Sequence, residues 1–239
     1  TIYIFMQTDI RDFEILFSGS YVDEKVDQII DLPDEYICLH ENIDSIYAKR
    51  PIRYLKERGL SSKHIFEWKI GYCSVGDYKE RVIIPSFSEN GDVNYFIARS
   101  YTGDWMRYKN PPASRDIVFN DLNIDWEDDI ILVEGVFDAF KEPNMIPILG
   151  STLREDSELF QKIVNSKSNI YVALDLDAMQ KEKEIILKLL DYDITVYKIN
   201  TKGYSDIGSM PDEVYFQRKK DSMQIDRNNF FEYEFSCFL

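Results

Sequence analysis

Several carboxylates in this chain stand at the edges of apolar runs, where a solvated acid would have no reason to gather. ILVEGVFDAF (residues 131–140) runs into Glu134 and then Asp138. YVALDLDA (171–178) ends in Asp175 and Asp177, and Asp206 follows another apolar run in KGYSDIG (202–208). Glu134, Asp175 and Asp177 fall at the carboxyl ends of predicted strands, where loops converge and an open parallel sheet binds ligands. On an extended strand, Asp175 and Asp177 project to the same side with Leu176 opposite. Acids gathered without His or Cys suit a hard, oxygen-loving cation, Mg²⁺ rather than zinc. Each acid alone has a plainer role, and Asp138 or Asp177 would serve as a helix cap. Held together, like charges destabilise a fold unless a cation or a proton offsets them.

A second feature is the charge distribution. The net charge of −15 excludes a protein that coats nucleic acid through bulk electrostatics. Yet from Ser45 to Lys109 there are twelve Lys and Arg against seven Asp and Glu, so a basic middle sits inside an acidic chain. Tyr95, Phe96, Tyr101, Trp105 and Tyr108 are interleaved with these cations as candidate stacking platforms for single-stranded bases. Packing in a half-buried sheet is the plainer role for most of them.

The elements that must position these residues follow from periodicity. A chain of 239 residues with 44% hydrophobic residues can bury the core of one large or two small domains. From Asp129 onward the order reads strand IILVEG, helix VFDAFKE, strand MIPILGS, helix REDSELFQKIVNS, strand IYVALDLD, helix QKEKEIILKLLDY and strand DITVYKI. This alternation calls for a parallel sheet flanked by helices. Upstream, PIRYLKERG and KHIFEWKIG form a pair of short helices with basic faces, the second capped by Ser61 or Ser62. RVIIPSFSENGDVNYFIARS forms an antiparallel hairpin turning at Glu89–Asn90–Gly91. The polar stretch 111–129 reads as a connector with a short apolar insert, IVF.

The expected organisation is therefore an acidic segment 1–44 without legible chemistry, a basic mixed α+β subdomain 45–125, an α/β domain 126–213, and a tail 214–239. The aromatic tail end would pack on the body or dock to a partner. Cys38, Cys73 and Cys237 are odd in number and widely spaced, which fits neither a disulfide framework nor a zinc module. No apolar run reaches the roughly 18 residues of a membrane span and no signal peptide is legible, so the expected location is cytoplasmic, without a membrane partner. A chain opening on Thr1 hints at sequence removed upstream.

LVEGVFDAF, ILGSTL and YVALDLDA together resemble the TOPRIM domain, shared by DnaG-type primases, type IA and II topoisomerases and some nucleases. YLKERGLSSKHIFEWKIGYC, RVIIPSFSENGDVNYFIARS and MRYKNPP resemble the segments preceding that domain in the primases, in the same order. The resemblance covers roughly residues 45 to 213. It implies a TOPRIM-type parallel sheet preceded by a mixed α+β primase subdomain, and an enzyme that makes RNA primers on a single-stranded DNA template from ribonucleoside triphosphates. It further implies Glu134, Asp175 and Asp177 as catalytic acids, and with Asp206 as ligands of two or more Mg²⁺ (or Mn²⁺) ions. Asp138, Gly135 and Gly150 would support them. Arg81, Arg99, Arg107 and Asn110 would grip template and nucleotide phosphates, and Lys109 joins them by charge alone.

Asp175–Leu176–Asp177–Ala178–Met179 lacks the glycines of the cellular pattern, a departure that phage primases tolerate; the host would be a bacterium or a phage-infected cell. No zinc ribbon or zinc site is legible here, and no GxxxxGK[ST] loop, so a replicative helicase would be a separate partner or a missing C-terminal part. Two rivals remain at this point: a TOPRIM nuclease, and a non-catalytic replisome subunit that binds nucleic acid.

Overall fold

A computed structural model describes residues 28–150, 152–166 and 168–236. Most of the acidic N-terminal segment, and Cys237, lie outside the described residues.

The first sheet is antiparallel, with four strands in sequential order: β1 (Ile37–Cys38), β2 (Gly71–Cys73), β3 (Arg81–Phe87) and β4 (Val93–Ser100). The β3–β4 hairpin turns where expected, with Gly91 at φ 87°. The pleat sorts its side chains to two cores. Val82, Ile84, Tyr95 and Ile97 face helices α1 (Lys49–Glu57) and α2 (Ser62–Glu67), while Ile83, Phe96 and Ala98 face Ile30, Leu32 and Tyr36. Tyr95 and Phe96 are therefore sealed core residues and not stacking platforms, since both faces of this sheet are covered. Ser61 caps α2: its Oγ accepts from His64 N (3.3 Å) and His64 Nδ1 accepts from Ser61 N (3.2 Å), a capping box with histidine in the glutamate's usual place.

The second sheet has the order β6–β5–β7–β8–β9. β5 (Ile130–Val133), β6 (Met145–Pro147), β7 (Ile170–Ala173) and β8 (Val196–Lys198) run parallel. α3 (Glu158–Ser166) and α4 (Met179–Asp191) cover one face through Phe160, Ile163, Ile185, Ile186 and Leu189. Ile199, Ile207, Met210 and Tyr215 cover the other. The stretch read as a tail closes the sheet. α5 (Asp212–Lys220) leads to β9 (Met223–Ile225), which pairs antiparallel with β8, and α6 (Phe230–Ser236) buries Phe230 and Tyr233.

Two local expectations fail for physical reasons. The helix predicted over VFDAFKE is a single 3₁₀ turn, Asp138–Phe140, because Pro143 and Asn144 (φ 60°) end the segment before a second turn can form. β7 stops at Ala173, opposite the last residue of β5, so Asp175 lies beyond the ladder and Asp177 falls in a 3₁₀ turn, Leu176–Ala178. The two carboxylates are thus not held on one side by a strand's pleat. Leu176 is 46% exposed, not turned into the core.

The connector stitches the two sheets together. Ile117 and Phe119 enter the core of the antiparallel sheet beside Val136 and Phe140, while Val118 between them enters the core of the parallel sheet. Among the described residues, no helix is long and apolar enough to cross a membrane.

One buried acid fixes the end of β7. Glu182 on α4 is 3% exposed and accepts from Leu174 N (3.1 Å), Lys198 Nζ (2.7 Å) and Tyr233 Oη (2.7 Å), tying helix, two strands and the C-terminal helix together. Removing one partner of a buried ion pair leaves the other charge uncompensated. Glu182→Ala is expected to lower stability by about 3 kcal/mol or more in urea unfolding; an unchanged midpoint would show that this network is not what holds the strand end.

Candidate active site at the carboxyl edge of the parallel sheet

Glu134 follows the last residue of β5, Asp175 lies two residues past β7, and Asp206 lies in the loop after β8. Since β5, β7 and β8 are neighbours, the topology alone carries three acids to one edge. Asp138 binds the loops that carry two of them. Its Oδ2 accepts from Gly135 N and its Oδ1 from Gly208 N, both at 3.1 Å, so it braces the Glu134 loop against the Asp206 loop. It is 7% exposed and is a brace rather than a helix cap. Both glycines are needed for close approach: a Cβ on Gly135 would lie 3.2 Å from Asp138 Oδ2, and one on Gly208 3.0 Å from Asp138 Oδ1. Asp206 is oriented by Ser209 N (2.6 Å) and Ser205 Oγ (2.9 Å). Glu134 Oε1 accepts from Lys181 Nζ at 2.7 Å. Asp177 is exposed at the rim.

The electrostatics report crowding. Burial first, and then the charges of Asp138, Asp206, Glu134 and Asp177, raise the Asp175 carboxyl from 3.8 to about 7. Burial likewise raises Asp138 to about 6, against the opposing pull of its two backbone hydrogen bonds. Two oxygens here, Glu134 Oε2 and Asp175 Oδ1, are buried with no hydrogen-bond partner. A buried acceptor without a donor is costly and points to an absent partner. An all-carboxylate set of this kind fits a hard divalent cation. As the side chains stand, no three Asp, Glu, His or Cys among the described residues come close enough together to hold a metal ion. Each acid is turned instead toward a hydrogen-bond donor of its own or left with an oxygen free.

Beside this edge runs a strip of alternating cations and rings. The Arg99 guanidinium lies over the Tyr108 ring (4.5 Å) and donates to Tyr54 Oη (3.1 Å). Arg58 lies over both Tyr54 (5.4 Å) and Phe137 (4.9 Å), and Phe137 belongs to the Glu134 loop. Arg107 is exposed, as are Trp105 (86%) and Tyr108. Lys109 lies over Tyr78 and donates to Asp77 O. The other two expected contacts are turned inward. Arg81 is 4% exposed, bound to Asp104 (2.9 Å) and Met106 O (2.8 Å), and Asn110 Oδ1 accepts from Ala98 N (3.2 Å) at the β4 edge. Gly150 (φ 77°) turns the loop after β6, where Arg115 Nη1 donates to Leu149 O (3.4 Å).

Lys181, Gly208, Tyr54 and Arg58 were not singled out from sequence. Arg58 stood inside the quoted YLKERGLS pattern, which was a usable signal; nothing in the sequence pairs Lys181 with a glutamate 47 positions earlier.

No family model matches the sequence, and no curated protein matches it. The fold matches solved structures. The Aquifex aeolicus primase, with its zinc-binding and RNA polymerase domains, aligns at 21% identity over 77% of this chain and 58% of that one, with a TM-score of 0.63. The E. coli primase catalytic core aligns at 16% identity over 82% and 79%, TM-score 0.64. A DnaG primase catalytic domain bound to single-stranded DNA aligns at 16% over 77% and 75%, TM-score 0.62. The chain has the fold of a DnaG-type primase core and spans little more than half of the Aquifex chain.

The raised acids set a pH dependence. A carboxyl whose folded pKa exceeds its unfolded value binds its proton more tightly in the fold, so stability falls as pH rises between the two values. In EDTA, this site's contribution is expected to decrease from about pH 4 to about pH 7. Asp175→Asn should be more stable than the parent at pH 7 and nearly equal at pH 4. Thermal unfolding of both proteins across that range checks it, and a difference that does not grow with pH would refute the crowding.

Proposed function

We propose that this chain synthesises RNA primers on single-stranded DNA, a template-directed nucleotidyl transfer from ribonucleoside triphosphates. The observation that carries the reading is the adjacency of two opposite features: an acid cluster with two unpaired buried oxygens, and a cation–ring strip that ends on the acid cluster's own loop. The first suits metal ions and the second suits polyanions bearing stackable bases. The likeness to primase cores, one of them bound to single-stranded DNA, supports the same reading at the level of fold.

Glu134 and Asp175 would contribute their unpaired oxygens to divalent cations, with Asp206 and the rim carboxylate Asp177 completing the set. The chemistry supplied by such ions, if bound there, would be activation of a 3′ hydroxyl and neutralisation of charge on the departing pyrophosphate. The chain's own groups do the positioning. Asp138 holds the loops of Glu134 and Asp206 at fixed separation through two backbone amides. Arg99 and Arg58, each seated on an aromatic ring, present guanidinium edges to phosphates, and exposed Arg107 would add a further cation, whereas Lys109, over Tyr78 and donating to Asp77 O, stands apart from them. Trp105 and Tyr108 are exposed for stacking against template bases. Arg81 and Asn110 act one step back: Arg81 clamps the 104–107 turn that carries Trp105 and Arg107, and Asn110 pins the strand edge.

Incubation with single-stranded DNA, Mg²⁺ and labelled ribonucleotides is expected to yield short labelled oligomers, reduced roughly a hundredfold or more in Asp175→Ala. Shortened template would instead identify a nuclease, and DNA binding without either product would identify a binding module. Arg99→Ala should weaken single-stranded DNA binding and lower the log–log salt slope by about 0.7, the contribution of one phosphate contact.

A further inference from the structure

Among the described residues, a single ion pair reaches the acid cluster: Lys181 Nζ on Glu134 Oε1, at 2.7 Å. Lys181 stands in the first turn of α4, and the two side chains are 20% and 23% exposed. The pair leaves Glu134 Oε2 unpaired, and it leaves Asp138, Asp175 and Asp206 without any cation of their own. Asp138 and Asp206 are held instead by backbone amides.

We infer that Lys181 is a displaceable counter-ion: it lends one positive charge to the acid cluster when no divalent cation is bound, and it competes with that cation for Glu134. The inference rests on the metal-binding part of the proposed function and adds a regulatory element to it. The physical basis is a comparison of charges. An ammonium carries one charge on a flexible four-carbon stem, and a partly exposed pair of this kind contributes little net stability. A divalent ion brings twice the charge and satisfies several carboxylates together, including both orphan oxygens. The exchange therefore favours the metal, but the lysine raises the concentration at which it occurs. A lysine that merely positioned Glu134 for a metal would have the opposite effect on removal, weakening metal binding.

The test is equilibrium Mn²⁺ binding to the full chain, read from the electron paramagnetic resonance signal of free aquo Mn²⁺. Lys181→Met should bind Mn²⁺ roughly two- to fivefold more tightly than the parent, the span expected for loss of one partly exposed competing charge. Lys181→Arg, which keeps the charge, should stay near the parent. A second readout is thermal unfolding: the rise in Tm on adding Mg²⁺ should be larger in Lys181→Met, which without metal has lost its counter-ion. Should Lys181→Met fold poorly, Lys181→Gln serves in both measurements. If the parent binds Mn²⁺ in a manner abolished by Asp175→Asn, but both neutral variants bind equally or more weakly, the counter-ion role is overturned while the metal site stands. If the parent shows no such binding, the metal reading itself fails.

Discussion

Repulsion between carboxylates is the constraint around which this molecule is organised. Acids placed past the ends of adjacent strands share one small region by topology, and partial burial denies them the screening that water would supply. The fold answers with short-range devices. Backbone amides of Gly135 and Gly208 converge on Asp138, Ser205 and Ser209 hold Asp206, and Lys181 takes one oxygen of Glu134. None of them reaches Asp175 Oδ1 or Glu134 Oε2. The residual strain is concentrated where a cation would relieve it. A fold that had only to be stable would have no reason to keep these carboxylates together.

The scaffold is correspondingly stiff where the site is strained. β5 is buried along its whole length and paired on both sides, so Glu134 projects from the most constrained strand of the sheet. The end of β7 is fixed by Glu182, an acid in a different state from Asp175 although only seven positions away. Glu182 is satisfied by three donors, one of them a lysine, and has no need of an external ion. The contrast shows that burial alone does not mark a functional carboxylate. What separates the two is the unpaired oxygen.

The architecture was legible in sequence because its determinants are periodic. Apolar runs of strand length alternating with amphipathic segments specify a parallel sheet, and Glu134, Asp175 and Asp206 land at one edge for that reason alone. The details that depend on where a ladder runs out were not legible. The alternation of Asp175 and Asp177 looked like a strand pattern, but β7 loses its partner at Ala173 and the chain turns. VFDAFKE carries helical periodicity too short to survive Pro143. The tail's participation in the sheet was hidden because MQI is a three-residue edge strand, below the length at which pattern is informative. Among the basic residues, composition could count charges but not aim them, and Arg81 was matched to the phosphate-gripping set although its guanidinium is taken up by Asp104 and Met106 in the turn after β4.

The acid cluster cannot recruit its own substrate, and this makes the joint between the two sheets as consequential as the site. A polyanion is repelled by uncompensated carboxylates, so the cations must come from the antiparallel half and be held in fixed register with the parallel half. Two features provide that register. The insert Ile117–Val118–Phe119 alternates its side chains between the two cores, so neither sheet can slide without opening a cavity in the other. Arg58 of the antiparallel half rests on Phe137 of the Glu134 loop, so the last cation of the strip touches the element that carries the first acid. Positive and negative surfaces meet there across an aromatic ring instead of pairing directly, which leaves the guanidinium edge open to a phosphate. A direct Arg58–Glu134 salt bridge would have neutralised both groups and removed the reason for bringing them together.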